Sequence, residues 1–191
     1  MELRDQNGLT EQEAIAAFRR GNYPHPYLTA DLVLFSQASD RVLLVRRNGH
    51  PFLGRWAIPG GFVNPDESTL DAALRELAEE TGVAQPDASA IREIGLFSKP
   101  GRDPRGWIVS DAFVSCVDER VTSVHAGDDA SDALWFSIEP AADGMLHLRH
   151  KELFLTADDL AFDHAEILRR ALLIKSEREE RTCIASQPKQ N

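Results

Sequence analysis

The chain has 191 residues, of which 42% are hydrophobic and 27% charged, a size and composition that suit one globular domain with a buried core. Its 31 acidic side chains outnumber 21 basic ones, for a formal net charge of −10, which opposes general attraction to nucleic acid or to an anionic lipid surface. A small, highly charged anion would bind only beside a local cation.

The N-terminus, "MELRDQNGLTEQEAI", mixes acids and bases and lacks the apolar stretch of a signal peptide. No later run is long enough to span a bilayer, so a soluble cytoplasmic protein with no membrane partner is expected. Cys116 and Cys183 form neither a CxxC pair nor a zinc spacing and are expected outside any disulfide, as in a reducing compartment.

Thr10 and Glu13 have capping-box spacing and Gly21 supplies a stop, so a helix is predicted over about 10–20. The runs "YPHPYLTADLVLF" and "RVLLVRR", separated by the turn-like "SQASD", predict two adjacent strands. "WAIPGGF", "GWIVSDAFVSCV" and "ALWFSI" also predict strands, and one strong helix is predicted at about 68–81. "LHLRHKELF" is ambiguous. Beyond it, Thr156 and Asp159 open a predicted helix over about 157–178, with Ala161, Ala165, Leu168 and Leu172 at helical spacing and a tail that loses its apolar face after Lys175. Strands interleaved with helices, without a repeat or a linker, predict one α/β layered domain over 1–191 with a core at about 25–140.

The segment "GFVNPDESTLDAALRELAEETGV" concentrates like charge. Leu70, Ala73, Leu74 and Leu77 make one helix face apolar, and Glu76, Glu79 and Glu80 fall on another. Two unit charges about 5 Å apart repel by roughly 3 kcal/mol at an effective dielectric near 20. Arg75 can brace Glu67 or Glu79 but cannot neutralise the cluster, whereas a hard divalent cation can. Clustered carboxylates suit Mg²⁺ or Mn²⁺, which keep several waters and bridge to substrate phosphates. Taken alone, an acidic helix face is more often just solvated.

The wider pattern runs Gly61, five residues, Glu67, seven residues, Arg75-Glu76-Leu77, one residue, Glu79-Glu80, one residue, Gly82-Val83. It resembles the complete signature of the Nudix hydrolases. The resemblance implies an α/β/α sandwich with a mixed β-sheet and flanking N- and C-terminal helices, hydrolysing a nucleoside diphosphate linked to another group. It makes Glu76, Glu79 and Glu80 the metal-binding carboxylates, joined by the Gly61 carbonyl, and has Glu67 and Arg75 hold the loop against the helix within the catalytic machinery. The metals would polarise phosphoryl oxygens and lower the pKa of a bound water.

Outside this box, "TADLVLF", "VLLVRR", "GRWAIPGGFV", "GRDPRGWIVSDAF", "AGDDA" and "FDHAEIL" look like the ADP-ribose pyrophosphatase branch of that family. That likeness implies Mg²⁺-dependent cleavage of ADP-ribose to AMP and ribose 5-phosphate, Mn²⁺ being a substitute, and a homodimer. Arg102 or Arg105 can clamp a diphosphate oxygen, and at most one of Arg46 and Arg47 points into the site, Arg47 being taken as the candidate. Trp56, Phe62, Trp107 and Trp135 are candidates to stack on adenine, Trp56 first. Asp128 and Asp129 are candidates for the base, with Glu79 and Glu119 as rivals. His147 and His150, at helical i, i+3 spacing, give only a weak metal signal, and His164 reads as a helix or interface residue.

Other substrates compatible with the box are a sugar nucleotide, a dinucleotide cofactor or an oxidised nucleoside triphosphate. A different class is an ADP-ribose-binding sensor related to transcriptional regulators of this family. The intact box, the acidic balance and the short stretch after the last predicted helix favour an enzyme with a small-molecule nucleotide substrate.

Overall fold

The structure, a computed structural model, describes residues 3–84, 86–120, 122–127, 130–139 and 145–185. Its elements are α1 (Glu11–Arg20), β1 (Tyr27–Ser36), β2 (Arg41–Arg47), β3 (Trp56–Ala57), β4 (Gly60–Phe62) and α2 (Thr69–Thr81), then β5 (Arg92–Phe97), β6 (Ile108–Val117), β7 (Ala130–Glu139), β8 (His147–His150), β9 (Leu153–Thr156) and α3 (His164–Ala185). The nine strands form one mixed sheet in the order β5-β6-β1-β2-β7-β8-β9, with β3 paired to β2 and β4 to β1. β1 and β6 run parallel over ten residues, from Tyr27 opposite Ile108 to Ser36 opposite Val117. The other named pairs are antiparallel.

The near-continuous apolar runs of β1 and β2 follow from burial on both faces. Ala30, Leu32, Leu34 and Leu43 point to one side, where they meet Ala72, Ala73, Leu74 and Leu77 of α2. Val33, Phe35, Val42 and Leu44 point to the other and meet Ile167, Leu168 and Ala171 of α3. This is the α/β/α sandwich with a mixed sheet that the resemblance implied.

β1 forks. Phe35 near its end pairs with Val42 of β2, while Thr29, Ala30 and Asp31 near its start pair with Phe62, Gly61 and Gly60 of β4. The stretch "WAIPGGF", expected as one strand, therefore splits at Pro59, which has no N–H for a ladder, into β3 on β2 and β4 on β1. The split wedges the two glycines into the mouth of the sheet.

Three expectations need correction. β5 was missed: it lies at the end of the strand order, five of its six residues, Arg92 to Leu96, are partly or fully exposed, and its register shifts between Glu93 and Gly95, so its sequence carries no clean alternation. The helix expected from 157 begins at His164 instead, because Asp159 turns back to accept from Thr156 N and Oγ1, both at 2.9 Å, closing a short 3₁₀ turn over Ala157–Asp159. Leu160 then bridges to Trp56 and buries. At its far end α3 continues to Ala185 rather than fraying after Lys175, as the strong helix formers of "SEREER" allow. The ambiguous "LHLRHKELF" is the β8–β9 hairpin, turning at Lys151 with φ 51°. Among the described residues no helix is long and apolar enough to cross a membrane.

Phe136 of β7 is fully buried and meets Trp56 edge-on, with ring centroids 4.7 Å apart. Phe136→Ala is expected to lower unfolding free energy by about 3–5 kcal/mol. Urea denaturation checks this, and a loss under about 1 kcal/mol would mean that this layer repacks freely.

Candidate functional site

Ser68 caps α2, accepting from Asp71 N at 3.1 Å, and Gly82 ends it at φ 67°. A Cβ at Gly82 would strike the ring of His125, whose own N–H donates to Thr81 O at 2.9 Å, while Gly127 N donates to Glu80 O at 3.1 Å. The 122–127 segment thus satisfies the terminal carbonyls of the helix. Between these caps, Leu74 and Leu77 are held down on the sheet, Glu76 and Glu80 reach the glycines of β4, and Glu79 is exposed.

Arg75 spends all five of its N–H donors inside the protein. Nε and Nη2 grip Glu67 at 3.1 and 2.7 Å, Nη1 reaches Glu76 at 2.7 Å and Glu79 at 2.9 Å, and Nη2 also donates to Phe62 O at 3.0 Å. The sequence reading placed Arg75 among the catalytic residues; with no donor left over, it is a strut that binds loop to helix. It holds the Glu67 carboxyl down at about 2, helped by Asn64.

Burial pushes Glu76 up, against the pull of Arg75. A Cβ on Gly61 would meet the Glu76 carboxylate, so a larger residue there would push that carboxylate aside. Burial also raises Glu80 to about 8, against a hydrogen bond from Gly60 N at 3.0 Å, and the charges of Glu76 and Asp31 add to the rise.

Asp31 lies behind this pair. It is 5% exposed and accepts from Ser110 Oγ, and a Cβ at Gly60 would strike it. His164 Nε2 stands 3.9 Å from Asp31 Oδ1, while His164 Nδ1 accepts from Ile58 N at 2.9 Å. Burial lowers the His164 pKa, against the opposing charges of Asp31 and Asp163. His164 is thereby a core residue that pins the strand leading to Gly60, not an interface residue.

These groups open on a cleft of about 380 Å³ lined in part by Arg47, Gly61, Arg75, Glu76, Glu80, Arg102 and Arg105, within the usual size of a small-molecule site. Both remaining arginine clamps are braced by acids. Arg102, its side chain only 4% exposed, forks onto Asp163 at 2.9 and 2.6 Å. Arg105 forks onto Asp103, which is 3% exposed; burial pushes that carboxyl up, but the Arg105 contacts outweigh it and hold it below its ordinary value.

Other candidates fall elsewhere. Trp56, the first choice to stack on adenine, is 6% exposed with its ring in the core against Phe136, so neither face is open to a ligand. Glu79 is bound to Arg75 and is not among the cleft-lining residues. Glu119 sits with Ser39 and Arg41, away from the cleft. Arg46 points outward to Gly54 O and Asp132. Trp135 packs against the α2 side of the core and Trp107 is exposed outside the cleft, whereas Phe62 lines it. Asp128 and Asp129 lie outside the described residues. His147 and His150 are on strand β8, where a three-residue separation puts them on opposite faces.

Sequence reasoning missed Asp31, Asp103, Phe162 and Asp163. Only Asp31 carried a signal, an acid inside the apolar run "TADLVLF".

Among the described residues no three His, Cys, Asp or Glu side chains are gathered as a ready metal cage, because Arg75 draws Glu76 and Glu79 to itself while Gly60 N holds Glu80. The donor chemistry nevertheless fits a hard divalent cation: burial raises the Glu76 carboxyl against the pull of Arg75, and raises the Glu80 carboxyl, beside a glycine-lined backbone.

The family model described as a NUDIX domain matches residues 26–157. An ADP-ribose pyrophosphatase of Methanocaldococcus jannaschii is 33% identical over 147 residues, covering 77% of this chain and 73% of that protein. An ADPR responsive transcriptional repressor, NtrR, of Acinetobacter baylyi is 31% identical over 169 residues, which is 86% of this chain but 60% of that protein. Among solved structures, a MutT/nudix family protein from Enterococcus faecalis superposes with TM-score 0.74 at 37% identity, covering 88% of this chain and 70% of that one. A bifunctional NMN adenylyltransferase/ADP ribose pyrophosphatase from Francisella tularensis, complexed with AMP and a Mn ion, gives TM-score 0.66 at 27% identity, covering 86% of this chain and 46% of that one.

Replacing Arg75 by Met is expected to leave Glu67, Glu76 and Glu79 facing one another and to lower stability by about 2 kcal/mol, between the values for exposed and buried pairs. Added Mg²⁺ should restore more stability to this variant than to the wild type. Thermal melts with and without Mg²⁺ decide it, and an equal Mg²⁺ response in both proteins would contradict the shared use of these carboxylates.

Proposed function

The chain belongs to the Nudix hydrolase family, and from that premise we propose that it hydrolyses the pyrophosphate of ADP-ribose or a close relative to AMP and ribose 5-phosphate. One observation carries the reading. Acids suited to a cation, Glu76 and Glu80, and bases suited to a phosphate anion, Arg47, Arg102 and Arg105, line the same cleft. An acidic protein can bind a doubly phosphorylated ligand there because charges of both signs are presented to it. The pyrophosphatase of M. jannaschii and the AMP and Mn ion named for the F. tularensis enzyme support the choice of substrate class and metal.

In this reading Glu76, Glu79 and Glu80, with the Gly61 carbonyl, hold Mg²⁺ or, in its place, Mn²⁺. The cation, when bound, supplies charge neutralisation and activates water. The chain's own part is positional. Arg75, through Glu67 and the Phe62 carbonyl, would keep the loop docked with Glu76 and Glu79 on the cation. Glu80, raised to about 8 by burial, would bind the cation as its carboxylate. Arg47 and the braced forks of Arg102 and Arg105 orient the diphosphate. Asp128, Asp129 and Glu79 stand as candidates for the base that takes the proton of the attacking water. The same reading makes the chain a single cytoplasmic domain that works as a homodimer, with α1, which buries none of its residues, as available surface.

The similarity to an ADPR responsive repressor supports a second reading, an ADP-ribose sensor without turnover. Incubation with Mg²⁺ and a panel of nucleotides, with products separated by chromatography, distinguishes the two. ADP-ribose should be consumed to equimolar AMP and ribose 5-phosphate, and Glu80→Gln should reduce kcat by roughly 100-fold or more with little change in melting temperature. Cleavage of triphosphates, sugar nucleotides or dinucleotides but not of ADP-ribose would replace the substrate. Binding without cleavage would favour the sensor.

A further inference from the structure

Phe162 is a bulky residue in a backbone conformation that such residues avoid, with φ 52°, and a strained aromatic of this kind needs surroundings that enforce it. Those surroundings are explicit. Ala161 is fully buried and its N–H donates to Trp56 O at 2.7 Å. Asp163 is held by the fork of Arg102 at 2.9 and 2.6 Å. His164 is buried, accepts from Ile58 N at 2.9 Å and donates its own N–H to Ala161 O at 3.1 Å. Every neighbour of Phe162 is fixed by an interaction pointing inward, and the residue between them aims its ring into the cleft.

The ring is also buttressed. Phe52 meets it edge-on at 4.8 Å, and the Arg47 guanidinium lies 5.0 Å from its centroid. Facing the cleft, the Arg105 guanidinium is stacked between two rings, 5.3 Å from the centroid of Phe162 and 4.9 Å from that of Phe62 on β4. Phe62 is 43% exposed, so its apolar face is not consumed by the core. A flat, delocalised group thus already lies against two aromatic rings that line the same cleft as Glu76 and Glu80 of α2.

We propose that the slot between Phe62 and Phe162 is the base-binding subsite of this cleft, that Phe162 is its pre-aimed stacking wall, and that Arg105 marks the place a planar base takes. The assignment rests on the nucleotide reading above and adds to it the residues that read the base. Arg102 acquires a definite role as a positioning residue, because its fork onto Asp163 fixes the loop that displays Phe162. Stacking is tolerant of base identity, so this subsite selects for a flat ring over a sugar and not for adenine over guanine.

Three proteins test it: the wild type, Phe162→Leu, which keeps apolar bulk but removes the flat face, and Phe162→Tyr, which keeps the face. Calorimetry with AMP and with ribose 5-phosphate is paired with KM and kcat for ADP-ribose. Phe162→Leu should weaken AMP binding at least tenfold and ribose 5-phosphate binding less than twofold, with the loss on ADP-ribose mainly in KM, and Phe162→Tyr should retain wild-type AMP affinity. Equal weakening of both ligands, or an unchanged AMP affinity, would overturn the subsite while cleavage of ADP-ribose by the wild type left the pyrophosphatase reading in place. Conversely, a wild type that never cleaves ADP-ribose but whose AMP binding is lost selectively in Phe162→Leu would remove that reading and uphold the subsite.

Discussion

A single guanidinium governs the site. Arg75 bonds to Glu67, Glu76, Glu79 and the Phe62 carbonyl at once, and in doing so ties the loop after β4 to the middle of α2. The arrangement is electrostatically incomplete. Arg75 bonds to the carboxyls of Glu67, Glu76 and Glu79, while Glu80 is desolvated, makes no bond to Arg75 and feels only the more distant charge of Arg47. Glu79 and Glu80 also sit in the final turn of α2, which holds no basic residue, although the negative end of a helix dipole disfavours acids there. Raised carboxyls, an adverse helix position and a shared counterion all suit these acids to a divalent cation, as proposed above.

The sheet makes this possible by what it leaves open. β1 pairs with β2 near one end and with β4 near the other, so the Gly60–Gly61 pair enters the fork with its backbone against Ala30, Asp31 and Glu76. A Cβ at Gly60 would strike the backbone of Ala30 and Asp31, and one at Gly61 would displace the Glu76 carboxylate. From the opposite layer, the buried His164 fixes Ile58, and Arg102 fixes Asp163. The cleft is therefore built on two helices and one strand fork, each immobilised by groups on its far side, which is how a site keeps charged groups in place against their mutual repulsion.

The strands of the central sheet and the helix of the box were legible in the sequence because they obey local rules: continuous apolar runs where both faces are covered, and i, i+3, i+4 spacing where one is. Glu76, Glu80 and Gly61 were legible as a group because they lie close together in the chain. What was not legible depends on distant segments meeting. Trp56 looked available because an aromatic beside a glycine loop gives no sign of which way it faces, and Phe136 of β7 claims it. Phe162 and Asp163 gave no sign because their importance comes from a helix that starts at His164 and not where the capping pattern suggested. β5 escaped notice because an irregular strand at the end of the sheet has no periodicity to detect.

The central claim is that the acids of α2 are arranged to receive a divalent cation. Titration calorimetry of Mn²⁺ and Mg²⁺ into the folded protein, with AMP present, addresses it directly. Saturable uptake that disappears in Glu76→Gln and Glu80→Gln is the result predicted. No uptake by the wild type, or uptake indifferent to both substitutions, would contradict it.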